Sequence, residues 1–96
     1  MYNPPVDTHA FDEYYFTKHI SIAKKIPGLK RYIVNQGPVT AMDGSSPYHL
    51  VAELEFDSMA AIQQGMGTPE GQATVADVPN FASGGATVLM FDDKEV

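Results

Sequence analysis

The sequence predicts a small α+β domain with an antiparallel sheet, and three observations support this fold class. An apolar stripe at helical spacing runs through residues 8–25. Residues 48–56 alternate between apolar and polar side chains, as a half-buried strand does. Proline and glycine then divide the 96 residues into segments in the order helix, strand, strand, helix, strand.

The first predicted helix covers residues 8–25. Asp7 or Thr8 provides its N-cap, and Pro27-Gly28 ends it. One face carries a stripe of mostly apolar side chains: Phe11, Tyr15, His19, Ile22, Ala23 and Ile26. His19 is the titratable member of this stripe, so it is either a packed core residue or the polar group of a pocket.

The remaining elements follow from the same signals. Two strands are predicted over residues 29–36 and 48–56, joined by a polar connection that is long for a hairpin. A short helix capped by Asp57 or Ser58 comes next and runs through about residue 66. A glycine-rich interruption separates it from a helical segment that Thr68-Pro69 restarts and that ends at Pro79. The last strand is predicted over residues 86–91, before a charged tail.

With one strand placed before the first helix, this order becomes βαββαβ, which is the ferredoxin-like order. Only Met1 and Tyr2 remain of that strand, so it is nearly absent from the chain. Residues outside this numbering could complete the sheet. We expect residues 1–96 to form a single domain, because a chain of this length builds one core.

The composition argues against several classes of function. Twelve acidic residues against six basic ones give a net charge of −6, and a chain without an extended basic face is a poor nucleic-acid binder. No apolar run approaches the ~20 residues that span a bilayer, so we expect no membrane partner. The absence of cysteine excludes disulfides and thiolate chemistry, and it suits the cytoplasm, where we expect this protein.

Residue spacing gives no support to three kinds of site. No Gly-x-Ser-x-Gly turn accompanies the serines, and no glycine-rich phosphate loop is present. His9 and His19 fall on different faces of the predicted helix, and there is no His-x-x-x-His pair. The sequence therefore predicts neither a metal nor a nucleotide, flavin or other cofactor.

An acid–base site in an apolar cavity remains. Tyr15 and His19 lie four residues apart, so their rings project from one helix face, and we predict them as the catalytic residues. Six further residues are predicted to bind the ligand: Phe16, Tyr32, His49, Met66, Phe81 and Met90. His49 alternates with Glu53 and Glu55, so a place on a solvated or dimer face is the alternative for it.

Several blocks resemble the EthD family, which is named for a locus of ethyl tert-butyl ether degradation. They are Tyr2-Asn3-Pro4-Pro5-Val6-Asp7, Phe11-Asp12-x-Tyr14-Tyr15, His19, Ile22-Ala23-x-x-Ile26-Pro27-Gly28-Leu29, Pro69-Glu70-Gly71-Gln72 and Phe91-Asp92. The resemblance covers almost the whole chain. It departs at the nearly missing first strand and at Ser21, where the family commonly has proline. It implies a ferredoxin-like monomer that dimerises into an α+β barrel, with a pocket near the helix-to-sheet interface.

A homodimer is also expected on physical grounds. A sheet covered by two helical segments leaves one face open, and Val34, Val51 and Val88 or Leu89 add apolar surface to it. Joining two such faces would hide both and add core that a short chain lacks.

Two functions remain open. The first is a cofactor-independent lyase, isomerase or monooxygenase acting on a small hydrophobic compound, aromatic or polyketide-like, with His19 as general acid or base and Tyr15 orienting it. The second is a non-catalytic protein that holds such a compound for an oxidative pathway. The surroundings of His19 distinguish them. An enzyme should leave a free ring nitrogen facing an accessible cavity, whereas a binder or plain core should bury the ring against backbone carbonyls.

Overall fold

A computed structural model describes all residues of the chain, from Met1 to Val96. Its first helix has three consecutive parts: α1 (Thr8–Tyr14), a π-helical turn (Tyr15–His19) and α2 (Ile20–Ala23). The carboxylate of Asp7 accepts a hydrogen bond from the Ala10 N–H at 3.0 Å, which confirms the predicted N-cap. The helix ends two residues earlier than the sequence predicted.

The π-helical turn decides which side chains of this helix face the core. Four residues of α-helix overshoot a full turn by about 40°, so an unbroken α-helix would carry His19 away from the face of Phe11. The N–H of Ile20 instead bonds to the carbonyl of Tyr15, five residues back, and this wider turn takes up the overshoot. Phe11, Tyr15 and His19 are all buried as a result.

The sheet is antiparallel and small. Strand β1 (Arg31–Val34) pairs with β2 (Ala52–Glu55), and Tyr2 forms antiparallel bridges with both Leu50 and Ala86. Across the sheet β1 is followed by β2 and the segment at Leu50 that leads into it. The segment at Tyr2 comes next and that at Ala86 last, as expected for the βαββαβ order. The predicted α+β class is confirmed, and the first strand is indeed reduced to the surroundings of Tyr2.

The predicted last strand is present only at its start. The N–H of Thr87 bonds to the carbonyl of Met1, and beyond that point the backbone finds no neighbouring strand. A strand is stable only when an adjacent strand satisfies its backbone groups, and residues 88–91 form no strand. Their four apolar side chains are all more than half exposed.

Two helices follow the sheet strands: α3 (Met59–Met66) and α4 (Pro69–Asp77), the latter continued by a 3₁₀ turn (Val78–Asn80). Ser58 and Thr68 cap these helices through their hydroxyl groups. None of the helices has both the length and the apolar character that a membrane crossing requires.

The core lies between the first helix and the inner side of the sheet. It is built from five buried residues: Tyr2, Phe11, Tyr15, Leu50 and Phe81. Several of these rings meet edge to face, as Tyr2 and Phe11 do with centroids 5.4 Å apart. Tyr32, Val34 and Ala52 pack against this cluster from the sheet, and Val34 also borders a depression that includes Val51, with which it was predicted to share the open face.

Candidate active site

His19 belongs to a buried polar network at the end of the π-helical turn. Its Nδ1 lies 2.9 Å from Oδ2 of Asp77, the last residue of α4. The other oxygen, Oδ1, accepts hydrogen bonds from the hydroxyl of Tyr14 at 2.6 Å and from Nδ2 of Asn80 at 3.0 Å. The ring of Phe81 packs on the imidazole with centroids 4.6 Å apart. The network thus joins the first helix to α4 and to the 3₁₀ turn.

The carboxylate of Asp77 is the electrostatic centre of this network. Burial opposes its ionisation, but the hydrogen bonds from Tyr14, Asn80 and His19 outweigh that effect and hold the pKa of Asp77 below its usual value. The same bond to Asp77, together with burial, raises the pKa of Tyr14, so this phenol remains a hydrogen-bond donor. Asp77 is therefore an anionic acceptor at neutral pH, held in place by three donors.

The second ring nitrogen of His19, Nε2, makes no hydrogen bond within the protein. No fully buried side-chain nitrogen or oxygen lacks a partner, so Nε2 keeps some contact with solvent. The His19 side chain is nevertheless only 3% exposed. His19 therefore meets neither expectation fully: one nitrogen is free, but the ring is buried, and its partner is a carboxylate where a plain core would supply a backbone carbonyl.

Tyr15 lies beside His19, but its hydroxyl is engaged elsewhere. The two rings are 5.2 Å apart, and the Tyr15 hydroxyl lies 2.5 Å from that of Tyr32 on β1. Burial, reinforced by this hydrogen bond, raises the pKa of Tyr15, and burial also raises that of Tyr32. Burial likewise raises the pKa of Tyr2 to about 12. These three phenols are neutral parts of the core.

A cleft of about 520 Å³ opens on another side of the molecule. It lies between the first helix, the N-terminal segment and the connection from β1 to β2. The residues that line it are Pro4, Asp12, Phe16, Asn35, Gly37, Pro38, Ser46, Tyr48, His49 and Leu50. Phe16 and His49 are two of the predicted ligand-binding residues, whereas neither His19 nor Tyr15 reaches the cleft wall.

A second histidine–carboxylate pair forms part of the cleft wall. Nε2 of His49 lies 2.7 Å from Oδ1 of Asp12, and the two side chains are 22% and 50% exposed. The ring of Phe11 meets the imidazole edge to face at 4.9 Å. Nδ1 of His49 has no partner in the protein and so contacts solvent. If Nε2 donates to Asp12, the lone pair on Nδ1 is free to accept a proton.

The position of His49 differs from what strand alternation predicts. Strict alternation places His49 on the outer face with Glu53 and Glu55, and those two glutamates are exposed as expected. Regular pairing with β1 begins only at Ala52, however, so the backbone before it is free to turn. His49 uses this freedom to face the first helix.

Hydrogen bonds within the protein fix the wall of the cleft opposite the helix. Oδ1 of Asn35 accepts from the N–H of Val51 at 2.9 Å, and its Nδ2 donates to the carbonyl of Gly37 at 2.8 Å. The hydroxyl of Ser46 donates to the carbonyl of Val39 at 2.6 Å. These contacts fix the backbone of the β1–β2 connection where it borders the cleft.

The other predicted ligand-binding residues lie elsewhere. Phe81 packs in the core against His19, and Tyr32 bonds to Tyr15. Met66 is half-buried at the end of α3, and Met90 is 57% exposed on the unpaired C-terminal segment. Neither methionine lines the cleft. No cluster of three or more histidine, cysteine, aspartate or glutamate side chains is placed to hold a metal ion.

Sequence reasoning missed three polar residues that the structure brings to these sites. Asp77 could have been found, because it continues the spacing of Gly71 and Thr74, the small buried residues of α4. An acid on a buried stripe needs partners. Asp12 falls on the face that helical periodicity marks as exposed, and Tyr48 looks like an ordinary strand residue, so neither carried a signal in a single sequence.

Comparison with known proteins agrees with the fold and with the resemblance seen in the sequence. The profile of the EthD domain matches residues 3–85. An uncharacterized 11.0 kDa protein in the thcB–thcC intergenic region of Rhodococcus erythropolis is 43% identical over 97 aligned residues, which cover 100% of this chain and 92% of that protein.

A solved structure is similar as well. The crystal structure of an ethyl tert-butyl ether degradation (EthD) family protein from Bacillus halodurans C-125 superimposes with a TM-score of 0.76 at 40% identity. The match covers 84% of this chain and 80% of the other. With the profile spanning most of the chain and relatives of this identity, the chain belongs to the EthD family.

Proposed function

We propose that this EthD-family protein is a cofactor-independent enzyme that performs acid–base chemistry on a small hydrophobic compound bound in the cleft. One observation carries the proposal. His49 presents a free Nδ1 at the cleft wall while its Nε2 lies 2.7 Å from the carboxylate of Asp12. An imidazole oriented by a carboxylate on one nitrogen can exchange a proton with a ligand through the other.

Asp12 supports this role in two ways. Its carboxylate favours the tautomer that carries a proton on Nε2, which leaves Nδ1 as the acceptor. Its negative charge also stabilises the imidazolium that forms once Nδ1 has taken a proton. A positioned general base of this kind typically contributes about 10²–10⁴-fold to a rate.

The apolar part of the wall indicates a hydrophobic ligand. Phe16 is 51% exposed although it lies on a helix, and Pro4, Pro38 and Leu50 continue its surface around the cleft. Pockets for small molecules are commonly 300–1,000 Å³, mostly apolar, with a few polar groups that orient the ligand, and a cleft of about 520 Å³ falls in this range.

In this proposal His19 acts from a distance. Phe16 lies inside the π-helical turn that ends at His19, and the bond from His19 to Asp77 fixes that turn against α4. His19 and Tyr15 therefore support the wall on which the ligand lies, while His49 meets the ligand. The catalytic role predicted for His19 stays a prediction, which the following experiment separates from the role of His49.

The test uses deuterium exchange. The protein is incubated in D₂O with a panel of aromatic ketones, phenols and enol lactones, and deuterium uptake is followed by mass spectrometry. We expect accelerated exchange for part of the panel, lost in His49→Gln and retained in His19→Gln after correction for the folded fraction. Loss in His19→Gln alone would return the catalytic role to His19. No exchange with any compound would contradict the enzymatic proposal.

The alternative is a non-catalytic binding protein, and one observation favours it. His19, the residue predicted from sequence to be catalytic, is buried away from the cleft, so the family-like block around it requires no proton transfer. A binder should show ligand-induced thermal stabilisation and no deuterium uptake. Native mass spectrometry of the purified protein, with identification of any bound compound, would support it directly.

We also propose that the protein forms a homodimer in the cytoplasm. The unpaired segment Val88–Phe91 exposes four consecutive apolar side chains, and Ile33, Val39 and Val51 add apolar surface around a depression on the outer side of the sheet. Such a surface is stabilised when a second copy covers it. A monomeric mass by light scattering at micromolar concentration would contradict this proposal.

A further inference from the structure

We infer that Tyr48 donates a hydrogen bond to a carbonyl oxygen of the ligand, so that the cleft takes ketones that carry an ionisable C–H beside the carbonyl. This inference rests on the proposed function and names its substrate class. It concerns a residue outside the predicted site, next in sequence to His49 and on the same cleft wall.

The argument begins with the tyrosine hydroxyls. Those of Tyr14, Tyr15 and Tyr32 all bond to partners inside the protein. Tyr48 is half-buried, and its hydroxyl, like that of Tyr2 in the core, makes no hydrogen bond within the protein and so contacts solvent. A phenol whose ring is held in a cleft wall while its hydroxyl stays unpaired is a ready donor for a ligand oxygen.

The other polar side chains of the wall are already engaged. Asn35 bonds to the backbone of Val51 and Gly37, and Ser46 donates to the backbone of Val39. Asp12 is occupied by His49. Two complementary groups on residues of the cleft wall therefore have no partner within the protein: the Tyr48 hydroxyl as a donor and His49 Nδ1 as an acceptor, beside the second oxygen of Asp12.

A donor and a base that line the same cleft match the needs of enolisation. Nδ1 of His49 takes the proton from the carbon next to the carbonyl, and the electron pair of the broken C–H bond forms a carbon–carbon double bond. The carbonyl π electrons move onto oxygen, where the hydrogen bond from Tyr48 stabilises the new negative charge. Return of the proton from His49 to carbon restores the ketone, and no oxidant or reductant is consumed.

2-Tetralone is a suitable probe, because it is a small bicyclic ketone with an apolar ring and acidic protons beside the carbonyl. Exchange of these protons in D₂O is followed by proton NMR with the wild-type protein, Tyr48→Phe and His49→Gln. Affinity is measured in parallel for 2-tetralone and for tetralin, which has the same rings without the carbonyl.

We expect the wild-type protein to accelerate exchange, His49→Gln to lose the acceleration, and Tyr48→Phe to slow it by about 10²-fold, as loss of one such donor typically does. Tyr48→Phe should also remove the preference for 2-tetralone over tetralin. Its melting temperature should match the wild type, because the Tyr48 hydroxyl has no partner to lose.

The two proposals can fail separately. Accelerated exchange that depends on His49 but is unchanged in Tyr48→Phe would overturn the role of Tyr48 and leave the acid–base proposal standing. A Tyr48-dependent preference for 2-tetralone without exchange would support carbonyl recognition and contradict catalysis. Equal affinity for 2-tetralone and tetralin, with no exchange, would overturn both.

Discussion

The two histidine–carboxylate pairs of this protein use the same two side-chain types for different purposes. In the pair His19–Asp77 both side chains are at least 92% buried, and Asp77 serves three donors at once. In the pair His49–Asp12 the side chains are 22% and 50% exposed, and each contacts the cleft. The first pair joins secondary-structure elements, and the second is open to a ligand.

The surroundings of a histidine–carboxylate pair, and not the identity of its residues, therefore decide what the pair can do. Removing one partner of a buried charged pair leaves the other charge buried without a partner. Such a substitution therefore lowers the free energy of unfolding strongly. An exposed pair contributes little to stability because water replaces either partner, but it can reach a substrate. Variants of the two pairs should therefore have opposite effects on folding and on chemistry.

The largest expected difference is in reaction rate. His49→Gln should lower the rate of proton exchange from a responsive ketone by about 10²–10⁴-fold, since glutamine cannot accept the proton. It should cost less stability than the change at His19, because His49 is 22% exposed and its partner Asp12 is half exposed. His19→Gln should do the reverse: it loses the contact with Asp77 and melts earlier. Exchange rates per folded molecule, with melting curves for both variants, check this.

If His19→Gln lowers the exchange rate and His49→Gln lowers the stability, the roles assigned to the two pairs would be exchanged. If His19→Gln abolishes exchange while it remains folded, Nε2 of His19 reaches the ligand through an opening of the structure. An unfolded His19→Gln protein would end any catalytic role for His19 of the kind the sequence predicts, and would leave it as a structural residue.

The next largest effect concerns the two carboxylates. Asp77→Ala should reduce the free energy of unfolding by about 3 kcal/mol, because it leaves three buried or half-buried donors without their acceptor. Asp12→Ala is the matched control and should cost less, about 1 kcal/mol, because Asp12 is half exposed and water can replace it beside His49. Urea denaturation at pH 7 measures both. Equal losses would mean that burial does not separate the pairs.

Acid sensitivity gives a third and smaller contrast. The folded-state pKa of Asp77 is lowered, so the stabilisation it provides is complete above the unfolded-state pKa of about 4 and is lost as pH falls through the folded-state value. The free energy of unfolding should therefore fall more steeply between pH 5 and pH 2 in the wild type than in Asp77→Ala. Parallel pH profiles for the two proteins would contradict this.

Much of the fold could be predicted from the sequence, because helix caps and strand alternation are properties of a few neighbouring residues. The caps at Asp7, Ser58 and Thr68 and the alternation over residues 52–55 each specify an element on their own. The last strand could not be predicted correctly, since residues 86–91 have the composition of a strand, but only Ala86 forms a bridge, with Tyr2 at a distant point of the chain. Strand formation is a tertiary property there.

The site was harder to predict than the fold, for a similar reason. Periodicity correctly placed Tyr15 and His19 on the buried face, although the π-helical turn that aligns them leaves no mark in spacing. The partners Asp77, Tyr32 and Asp12 lie 58, 17 and 37 residues from the groups they bind. A single sequence records no such distant pairing, so the two pairs could not be told apart.

The smallest expected effect compares two tyrosines. Tyr14→Phe removes the 2.6 Å hydrogen bond to Asp77 and keeps the ring that stacks on Phe81. Asp77 retains Asn80 and His19, so the loss should be partial: a melting temperature lower by on the order of 5 °C. The Asp77 pKa should rise toward its usual value, because Tyr14 gives the largest of the contributions that lower it.

Tyr48→Phe is the matched control, since it removes a hydroxyl that has no protein partner. Calorimetry should find its melting temperature unchanged, while Tyr14→Phe melts earlier and loses part of the acid sensitivity described above. The same two variants should rank oppositely in the exchange of 2-tetralone protons, with Tyr48→Phe the slower. If both substitutions lower the melting temperature equally, the hydroxyl of Tyr48 is hydrogen-bonded within the protein. It would then not be available to a ligand, and the proposed role of Tyr48 would be wrong.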